Sequence, residues 1–200
     1  MLEFKEWPKI KRLNRDIIIT EKIDGTNACI IVGEDGEVGA QSRSRVLRVG
    51  ESDNFGFLAW TIANADTLRK LGPGYHFGEW YGKGIGRNYA LPSRRFALFN
   101  TTRWLTPGPD RDAFIEVQSL VEAVGVVPII YQGEWQEHSD CSWGPTIALD
   151  MLLETGSLAV PGWMKPEGIV VYHTASNTMF KATCEKDEEW KGKRGANAEG

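Results

Sequence analysis

The stretch Glu21-Lys22-Ile23-Asp24-Gly25 places a lysine between two acidic residues, directly before a glycine turn. Residues 16–20 before it are rich in β-branched side chains, and residues 28–32 after it have the same strand-like composition. The sequence therefore predicts two short apolar strands joined as a hairpin, with Lys22 at its mouth. A lysine held beside acids is either a surface ion pair or a nucleophile whose amine has been activated.

The chemistry of Lys22 depends on what else lies near it. An ordinary lysine is almost fully protonated at neutral pH, so a nucleophilic one needs nearby positive charge or desolvation to favour its free amine. Glu21 and Asp24 by themselves favour the charged form, so a catalytic role requires further cations close to Lys22 in the fold. A solvated lysine is the default interpretation of any single lysine, and these neighbours leave both interpretations open.

Length and composition are those of an ordinary single domain. The chain has 200 residues, enough to bury a core, and no apolar run approaches the roughly 20 residues that span a membrane. The N-terminus lacks the layout of a signal peptide. The three cysteines, Cys29, Cys141 and Cys184, have neither disulfide-framework nor zinc-site spacing. We expect a reduced, cytoplasmic protein without a structural metal.

The distribution of charge is more informative than its total. The net charge of −4 gives no simple nucleic-acid signature. Basic residues nevertheless gather in residues 5–15, 43–48 and 83–103, whereas acidic residues concentrate in 110–154 and 185–189. These segments fit either a basic groove or a mixed, solvated surface.

The order of the predicted elements indicates an α+β domain. We predict strands within residues 16–49, with a hairpin turn at Glu34-Asp35-Gly36, and at 75–80, 95–104, 168–173 and 178–183. Apolar residues spaced by three and four predict helices at 55–71, 113–124 and 146–156. Because few βαβ units can be identified, we expect largely antiparallel sheets flanked by helices. We place the domain at residues 1–190 and a polar, frayed tail at 191–200.

A resemblance to a known family extends over six ordered motifs. Lys22-Ile23-Asp24-Gly25 resembles the first motif, Lys-x-Asp-Gly, of the covalent nucleotidyltransferases, which include DNA ligases, RNA ligases and mRNA capping enzymes. Its extension through Thr26-Asn27 is most similar to the phage-type RNA ligases. The later motifs are, in order, Gln41-Ser42-Arg43-Ser44-Arg45, Phe77-Gly78-Glu79-Trp80-Tyr81-Gly82, Phe96-Ala97-Leu98-Phe99-Asn100, Pro166-Glu167-Gly168-Ile169-Val170-Val171 and Phe180-Lys181-Ala182-Thr183. Six motifs in order are far more specific than one.

The resemblance implies an adenylation domain in which Lys22 attacks the α-phosphate of ATP and keeps AMP as a phosphoramidate. Lys181 would approach the same phosphate, stabilise its charge and help to activate the amine.

Further nucleotide contacts follow from the same resemblance. Glu79 would accept hydrogen bonds from the ribose hydroxyls, and Phe99 would stack on the nucleobase. Arg43 would contact a phosphate or the ribose. Glu21 and Glu167 complete the implied nucleotide-binding set.

The metal and RNA contacts are also implied by the resemblance. Glu167 and Asp24 would hold hydrated Mg²⁺ or Mn²⁺ through water, because these ions prefer oxygen ligands. Asn27 and Arg45 would lie near the 5′-phosphate end of the RNA.

Two departures from the family pattern stand out. The fifth motif usually carries two lysines two positions apart, but here Lys181 is followed by Thr183, so either Lys186 replaces the second cation or one phosphate contact is missing. We also expect no OB-fold, since too few residues follow the last motif. The glycines of Gly82-Lys83-Gly84-Ile85-Gly86 lack the dinucleotide-binding pattern and predict a turn.

The function implied by the resemblance is ATP-dependent RNA ligation. The enzyme would join 5′-phosphate and 3′-hydroxyl ends through lysyl-AMP and AMP-capped RNA, in RNA repair, with an end-healing kinase or phosphatase as a candidate partner and no membrane association. Three alternatives stay open: a minimal DNA nick ligase, a capping-type guanylyltransferase, and a nucleotide- or RNA-binding module that has lost turnover.

Overall fold

Strands and short helices alternate along the chain. The computed structural model describes residues 3–135 and 144–185. The strands are β1 (Asp16–Lys22), β2 (Thr26–Val32), β3 (Val38–Ser42), β4 (Gly74–Gly82), β5 (Arg94–Leu98), β6 (Val124–Val126), β7 (Ile129–Glu134), β8 (Gly168–His173) and β9 (Thr178–Thr183). The helices are α1 (Phe57–Ala63), α2 (Ala65–Leu68), α3 (Thr101–Leu105), α4 (Pro109–Leu120) and α5 (Pro145–Thr155), with a 3₁₀ turn at Arg69–Leu71.

Within the described ranges, the strands form two sheets. The four-stranded sheet has the order β7-β1-β8-β9, and the five-stranded sheet has the order β3-β2-β4-β5-β6. Every neighbouring pair is antiparallel except β5 and β6, which are parallel. The predicted α+β class with largely antiparallel sheets is confirmed.

Each sheet buries one face in its own core. Alternate residues of β2, β4 and β5, among them Ile30, Trp80 and Phe96, pack with Phe57 of α1 and Phe114 of α4. In the four-stranded sheet the buried alternate residues of β1 and β8 pack against α5, where the core consists of Ile17, Ile19, Ala148, Leu152, Ile169 and Val171. The opposite face of the five-stranded sheet carries polar side chains and a smaller apolar cluster that includes Tyr81 of β4 and Ala97 of β5.

The predicted hairpin between the first two strands is wrong. β1 pairs with β7 and β8, whereas β2 pairs with β3 and β4. The two strands bury their apolar residues in different cores, so the chain crosses between sheets at residues 23–25. Gly25 permits the crossing, because a Cβ there would stand 2.4 Å from the Trp80 carbonyl oxygen.

Several local predictions are confirmed and several need correction. β8, β9, α5 and the β2–β3 turn lie where the sequence places them. The predicted 55–71 helix is interrupted at Asn64, whose Nδ2 donates to the Trp60 carbonyl (2.8 Å) and competes with the helical backbone. The predicted 95–104 strand ends at Leu98, because Asn100 caps α3 by accepting from the Arg103 N–H. α4 begins earlier than predicted, and the short strands β6 and β7 were not anticipated.

Some predictions concern parts of the chain outside the described residues. The domain boundary at 190, the tail 191–200, Cys141 and Lys186 belong to this group. Cys29 is buried and Cys184 is partly buried, and both are free thiols. No helix in residues 3–135 and 144–185 is long and apolar enough to cross a membrane.

Candidate functional site

Lys22 lies at the end of β1 and pairs with the glutamate that directly precedes the neighbouring strand β8. Gly168 is the register partner of Lys22, and the Lys22 Nζ lies 2.5 Å from Oε1 of the preceding residue, Glu167. The two side chains are 24% and 19% exposed, so the pair is accessible but not on open surface. The other carboxylate oxygen, Glu167 Oε2, is buried without a hydrogen-bond partner. An ammonium and a spare acceptor oxygen therefore face the same space.

Glu79 faces Lys22 from the five-stranded sheet. It is buried in β4, opposite Asn27 of β2, whose Nδ2 donates to Glu79 Oε2 at 3.0 Å. Burial raises the Glu79 pKa to about 7; Lys22 opposes the rise, and the charges of Glu167 and Asp24 add to it. These charge interactions, together with the Lys22–Glu167 contact, indicate that one amine and three carboxylates lie near one another between the two sheets, in the region that we call the cleft.

Lys181 lies on the same face of the four-stranded sheet as Lys22. Lys181 pairs with Val170, which pairs with Thr20, two residues before Lys22 in β1. Lys181 therefore lies on the same face as Lys22, in the adjacent row of paired residues. The row that contains Lys22 runs from Lys22 through Gly168 to Thr183. The Lys181 side chain is exposed. The threonine that replaces the expected second lysine thus occupies the row of the nucleophile candidate.

Asp24 anchors the glycine turn that follows β4. Its Oδ2 accepts from the Arg87 N–H at 2.9 Å, and its own N–H donates to the Tyr89 hydroxyl at 2.7 Å. Gly86 has a φ of +49°, and a Cβ there would stand 2.7 Å from Asp24 Oδ2. The predicted turn is confirmed. In the sequence, Arg87 counted only as part of the basic segment 83–103 and Tyr89 had no assigned role, although an arginine directly after a glycine turn was a usable signal.

Glu21 points away from the cleft and is almost fully buried. Its carboxylate accepts from Ser157 Oγ at 2.5 Å and from the N–H groups of Leu158 and Ala159, both at 2.8 Å. Burial raises its pKa, and these three donors oppose the rise. The side chain holds β1 against the segment after α5. It is buried, whereas the resemblance implied a contact between this residue and the nucleotide. The contact with Ser157 had no sequence signal.

Phe99 offers a flat apolar surface at the edge of the cleft. It follows β5 directly, is 40% exposed, and its N–H donates to the Phe77 carbonyl at 3.0 Å. By strand alternation it shares a face with Ala97, which lies opposite Glu79. The exposed Phe77 ring lies on the same face, so two aromatic residues continue the surface that Glu79 begins.

The two arginines of the second motif lie in an exposed turn after β3. Arg45 is held by Glu51 Oε2 at 3.2 Å and the Ser52 carbonyl at 2.8 Å, whereas Arg43 makes no side-chain hydrogen bond within the described residues. Arg43 is therefore the one with free donors.

Comparison with known proteins identifies the family. The family model for RNA ligase matches residues 15–183. This chain belongs to the RNA ligase family. The family resemblance in the motifs is thereby confirmed, and the matched range contains every site residue described in this subsection. A search of curated proteins found no match.

Solved structures of an RNA ligase from Naegleria gruberi have a similar fold. One mutant, solved with ATP and Mn, is 21% identical, with a TM-score of 0.58 over 85% of this chain and 49% of that chain. A second, also with ATP and Mn, is 21% identical, with a TM-score of 0.59 over 86% and 50%. A third, with AMP and Mn, is 22% identical, with a TM-score of 0.57 over 85% and 50%. The chain spans about half the length of these structures.

The cleft of this RNA ligase family member fits a hydrated divalent ion better than a protein-caged one. Among the described residues, no three or more His, Cys, Asp or Glu side chains are grouped as a metal site. Mg²⁺ keeps several waters and binds through one or two carboxylates and substrate phosphates. The unpartnered, buried Glu167 Oε2 is an oxygen suited to that role.

Proposed function

We propose that this protein is an ATP-dependent RNA ligase that joins 5′-phosphate and 3′-hydroxyl ends through lysyl-AMP and AMP-capped RNA, in RNA repair. The observation that carries the proposal is the Lys22–Glu167 pair facing Glu79 across the cleft. Membership of the RNA ligase family supports it, and the ATP, AMP and Mn in the Naegleria structures support ATP and Mg²⁺ or Mn²⁺ as cofactors.

Lys22 is the nucleophile of the first step. Its Nζ forms a bond to the α-phosphorus of ATP as the bond from that phosphorus to the bridging oxygen breaks, and pyrophosphate leaves with the electron pair. Two protons leave Nζ in this step. One passes to Glu167 Oε1, the acceptor already hydrogen-bonded to Nζ, and frees the amine for attack. The second passes to water or to the departing pyrophosphate as the phosphoramidate forms. Lys181, on the same face, approaches the charged phosphate. Positioning and charge supply most of the catalysis in such phosphoryl transfers.

The five-stranded sheet binds the nucleoside. Glu79 in its ionised form accepts hydrogen bonds from the ribose hydroxyls, because a carboxylate is an acceptor only. Phe99 stacks on the base, which contributes roughly 1–3 kcal/mol. Arg43, with its free donors, reaches the ribose or a phosphate. Glu21 contributes by fixing β1, and therefore Lys22, against the Ser157–Ala159 backbone.

A divalent ion at Glu167, held through water with charge support from Asp24, would neutralise the phosphates and make phosphorus more electrophilic. Because the negative charges of Glu167 and Asp24 both raise the pKa of Glu79, the positive charge of the ion would also favour the ionised form of Glu79.

The RNA end binds beside the nucleotide. Asn27, next to Glu79, and Arg45 are the proposed contacts to the 5′-phosphate end, and the basic segments 43–48 and 83–95 extend the surface. Phosphate contacts of this kind predict binding that weakens steeply as salt rises. An end-healing kinase or phosphatase would supply 5′-phosphate and 3′-hydroxyl ends.

Intact-mass measurement after mixing the protein with ATP and Mg²⁺ tests the proposal. We expect a gain of one AMP, lost in Lys22→Ala. Lys70→Ala is the matched control, because Lys70 also forms an ion pair with a glutamate (Glu116, 2.7 Å) but on the surface near α4. Absence of an adduct from pH 6 to 9 with both Mg²⁺ and Mn²⁺ would sink the enzymatic proposal. Comparing the sealing of RNA and DNA nicks then separates the RNA ligase from a DNA nick ligase.

A nucleotide-binding module without turnover is the second candidate. It is favoured by Thr183, which places a hydroxyl instead of a cation in the row of Lys22. This candidate predicts that ATP binds without any adduct, so the same mass measurement, combined with an ATP-binding assay, distinguishes the two.

A further inference from the structure

Arg87 lies where three segments of the cleft converge. Its backbone N–H is bound by Asp24, and its guanidinium lies 3.7 Å from Asp24 Oδ2, 3.4 Å from the Lys165 carbonyl oxygen and 3.9 Å from Glu185 Oε2. The side chain is 24% exposed. A cation is thus held near the surface of the cleft by groups from three separate parts of the chain.

The three contacting residues lie just outside the strands β1, β8 and β9, which contribute Lys22, Gly168 and Thr183 to one row. Asp24 comes two residues after Lys22, Lys165 comes two residues before Glu167, and Glu185 comes two residues after Thr183. The guanidinium also influences Cys184, because burial raises the pKa of that thiol and the positive charge of Arg87 opposes the rise. Arg87 therefore lies beyond the ends of β1, β8 and β9, next to the row that runs from Lys22 through Gly168 to Thr183.

The guanidinium is not committed to these partners. Its three contacts are long compared with a charge-assisted hydrogen bond, and none is the two-pronged pair that arginine forms with a carboxylate. The turn itself is held without the side chain, through the Arg87 N–H to Asp24 and the Tyr89 hydroxyl to the Asp24 N–H. Several of its five donors stay available, in a geometry that matches a phosphate.

We propose that Arg87 binds a phosphate of the nucleotide that reacts with Lys22. This inference rests on the proposed function, and it separates Arg87 from the other arginines of the 83–95 segment, which we assign to RNA. Asp24 then acts as a positioning residue, because it holds the turn that presents the guanidinium.

Adduct formation as a function of ATP concentration tests the assignment. In Arg87→Met we expect the half-saturating ATP concentration to rise roughly 10- to 100-fold, because this is the effect of losing a charge-assisted hydrogen bond or bidentate pair. Arg87→Lys should recover part of that loss, since it keeps the charge without the fork. Arg69→Met is the matched control, because Arg69 likewise bonds an aspartate (Asp66, 3.0 Å) and a backbone carbonyl (Gly36, 2.7 Å) away from the cleft.

Sealing of a pre-adenylated RNA nick distinguishes the source of the phosphate. If Arg87→Met forms the adduct normally and fails only in this sealing step, Arg87 serves the RNA phosphate and the proposal is overturned. A purely structural role is shown by a lowered Tm together with no recovery in Arg87→Lys, which also overturns it.

ATP binding to a Lys22→Ala background keeps this inference separate from the enzymatic one. If the wild-type protein forms no adduct but Arg87→Met weakens ATP binding in this background, the proposed function fails and the assignment of Arg87 stands. Equal binding with and without Arg87→Met overturns the assignment even if the wild type is fully active. No ATP binding by the Lys22→Ala parent, together with no adduct in the wild type, overturns both.

Discussion

Two buried glutamates, Glu21 in β1 and Glu79 in β4, differ in how their oxygens are used. The Glu21 carboxylate accepts three hydrogen bonds, from Ser157 Oγ and from the N–H groups of Leu158 and Ala159. Glu79 receives one donor, from Asn27, and faces Lys22 and two further carboxylates. Burial raises the pKa of both groups, but Glu79 keeps more of the roughly four acceptor sites of a carboxylate for a ligand.

The contrast shows how a structural carboxylate differs from one that is ready to bind. Both residues are glutamates of family motifs, and the resemblance assigned both to the nucleotide. A saturated carboxylate stabilises the folded chain, whereas an under-saturated one in a cleft is a cost that a ligand can offset. Variants of the two residues should therefore affect different properties.

The largest expected effect is on folding stability, from Glu21→Ala. Removing the carboxylate leaves a buried serine hydroxyl and two part-buried backbone N–H groups without an acceptor, so we expect a loss of about 3–5 kcal/mol in the free energy of unfolding. Urea denaturation at pH 7 measures it, with Glu79→Ala as the comparison. If the two variants lose similar stability, the distinction between the carboxylates is wrong.

The next effect is a pH dependence that belongs to Glu79. Its pKa of about 7 in the folded protein lies above the usual value of 4.5, so the folded state holds the proton longer than the unfolded state. The stability from this group is fully present below pH 4.5 and is lost as pH rises through about 7. Between pH 4.5 and 8, the free energy of unfolding of the Glu79→Gln variant should therefore rise relative to that of the wild type by on the order of 2–3 kcal/mol.

Denaturation of both proteins at several pH values measures this difference. The Gln variant should still lose ATP affinity, because an amide replaces one ribose acceptor with a donor. A stability difference that does not change with pH would contradict the raised pKa.

The smallest effect concerns the single donor to Glu79. Asn27→Ala removes a hydrogen bond that favours the ionised carboxylate, so the Glu79 pKa should rise further at a stability cost of about 1 kcal/mol. Carboxyl titration by NMR measures the shift. Ser157→Ala, which removes a donor from Glu21 instead, should leave the Glu79 titration in place, and a shift there would contradict the separation of the two sites.

Much of the local structure was predictable because it depends on neighbouring residues. β8, β9 and the Glu34-Asp35-Gly36 turn follow from β-branched content and turn chemistry, and the ordered motifs identified the family. The failed helix at residues 55–71 has a local cause that a closer look at Asn64 could have found, since its side chain competes with the helical backbone.

The partners across the molecule were not predictable, because alternation indicates which face of a strand is buried but not in which core. β1 and β2 have similar apolar patterns and are separated by three residues, yet they belong to different sheets. Asn27 and Glu79 are 52 residues apart, and Glu21 and Ser157 are 136 apart. Contacts of that range depend on the packing of whole sheets.

The sequence by itself determined the family, the α+β class, most element positions and the residue types that can carry the chemistry, since these depend on composition, short-range spacing and motif order. Only the tertiary structure decided that Lys22 pairs with Glu167 rather than with the acids beside it, and that Glu21 is an anchor. It also placed Arg87 beside the strand ends that form the Lys22 row. The reason is physical: adjacent strand residues point to opposite faces, so a lysine meets side chains from other strands before those next to it in the chain.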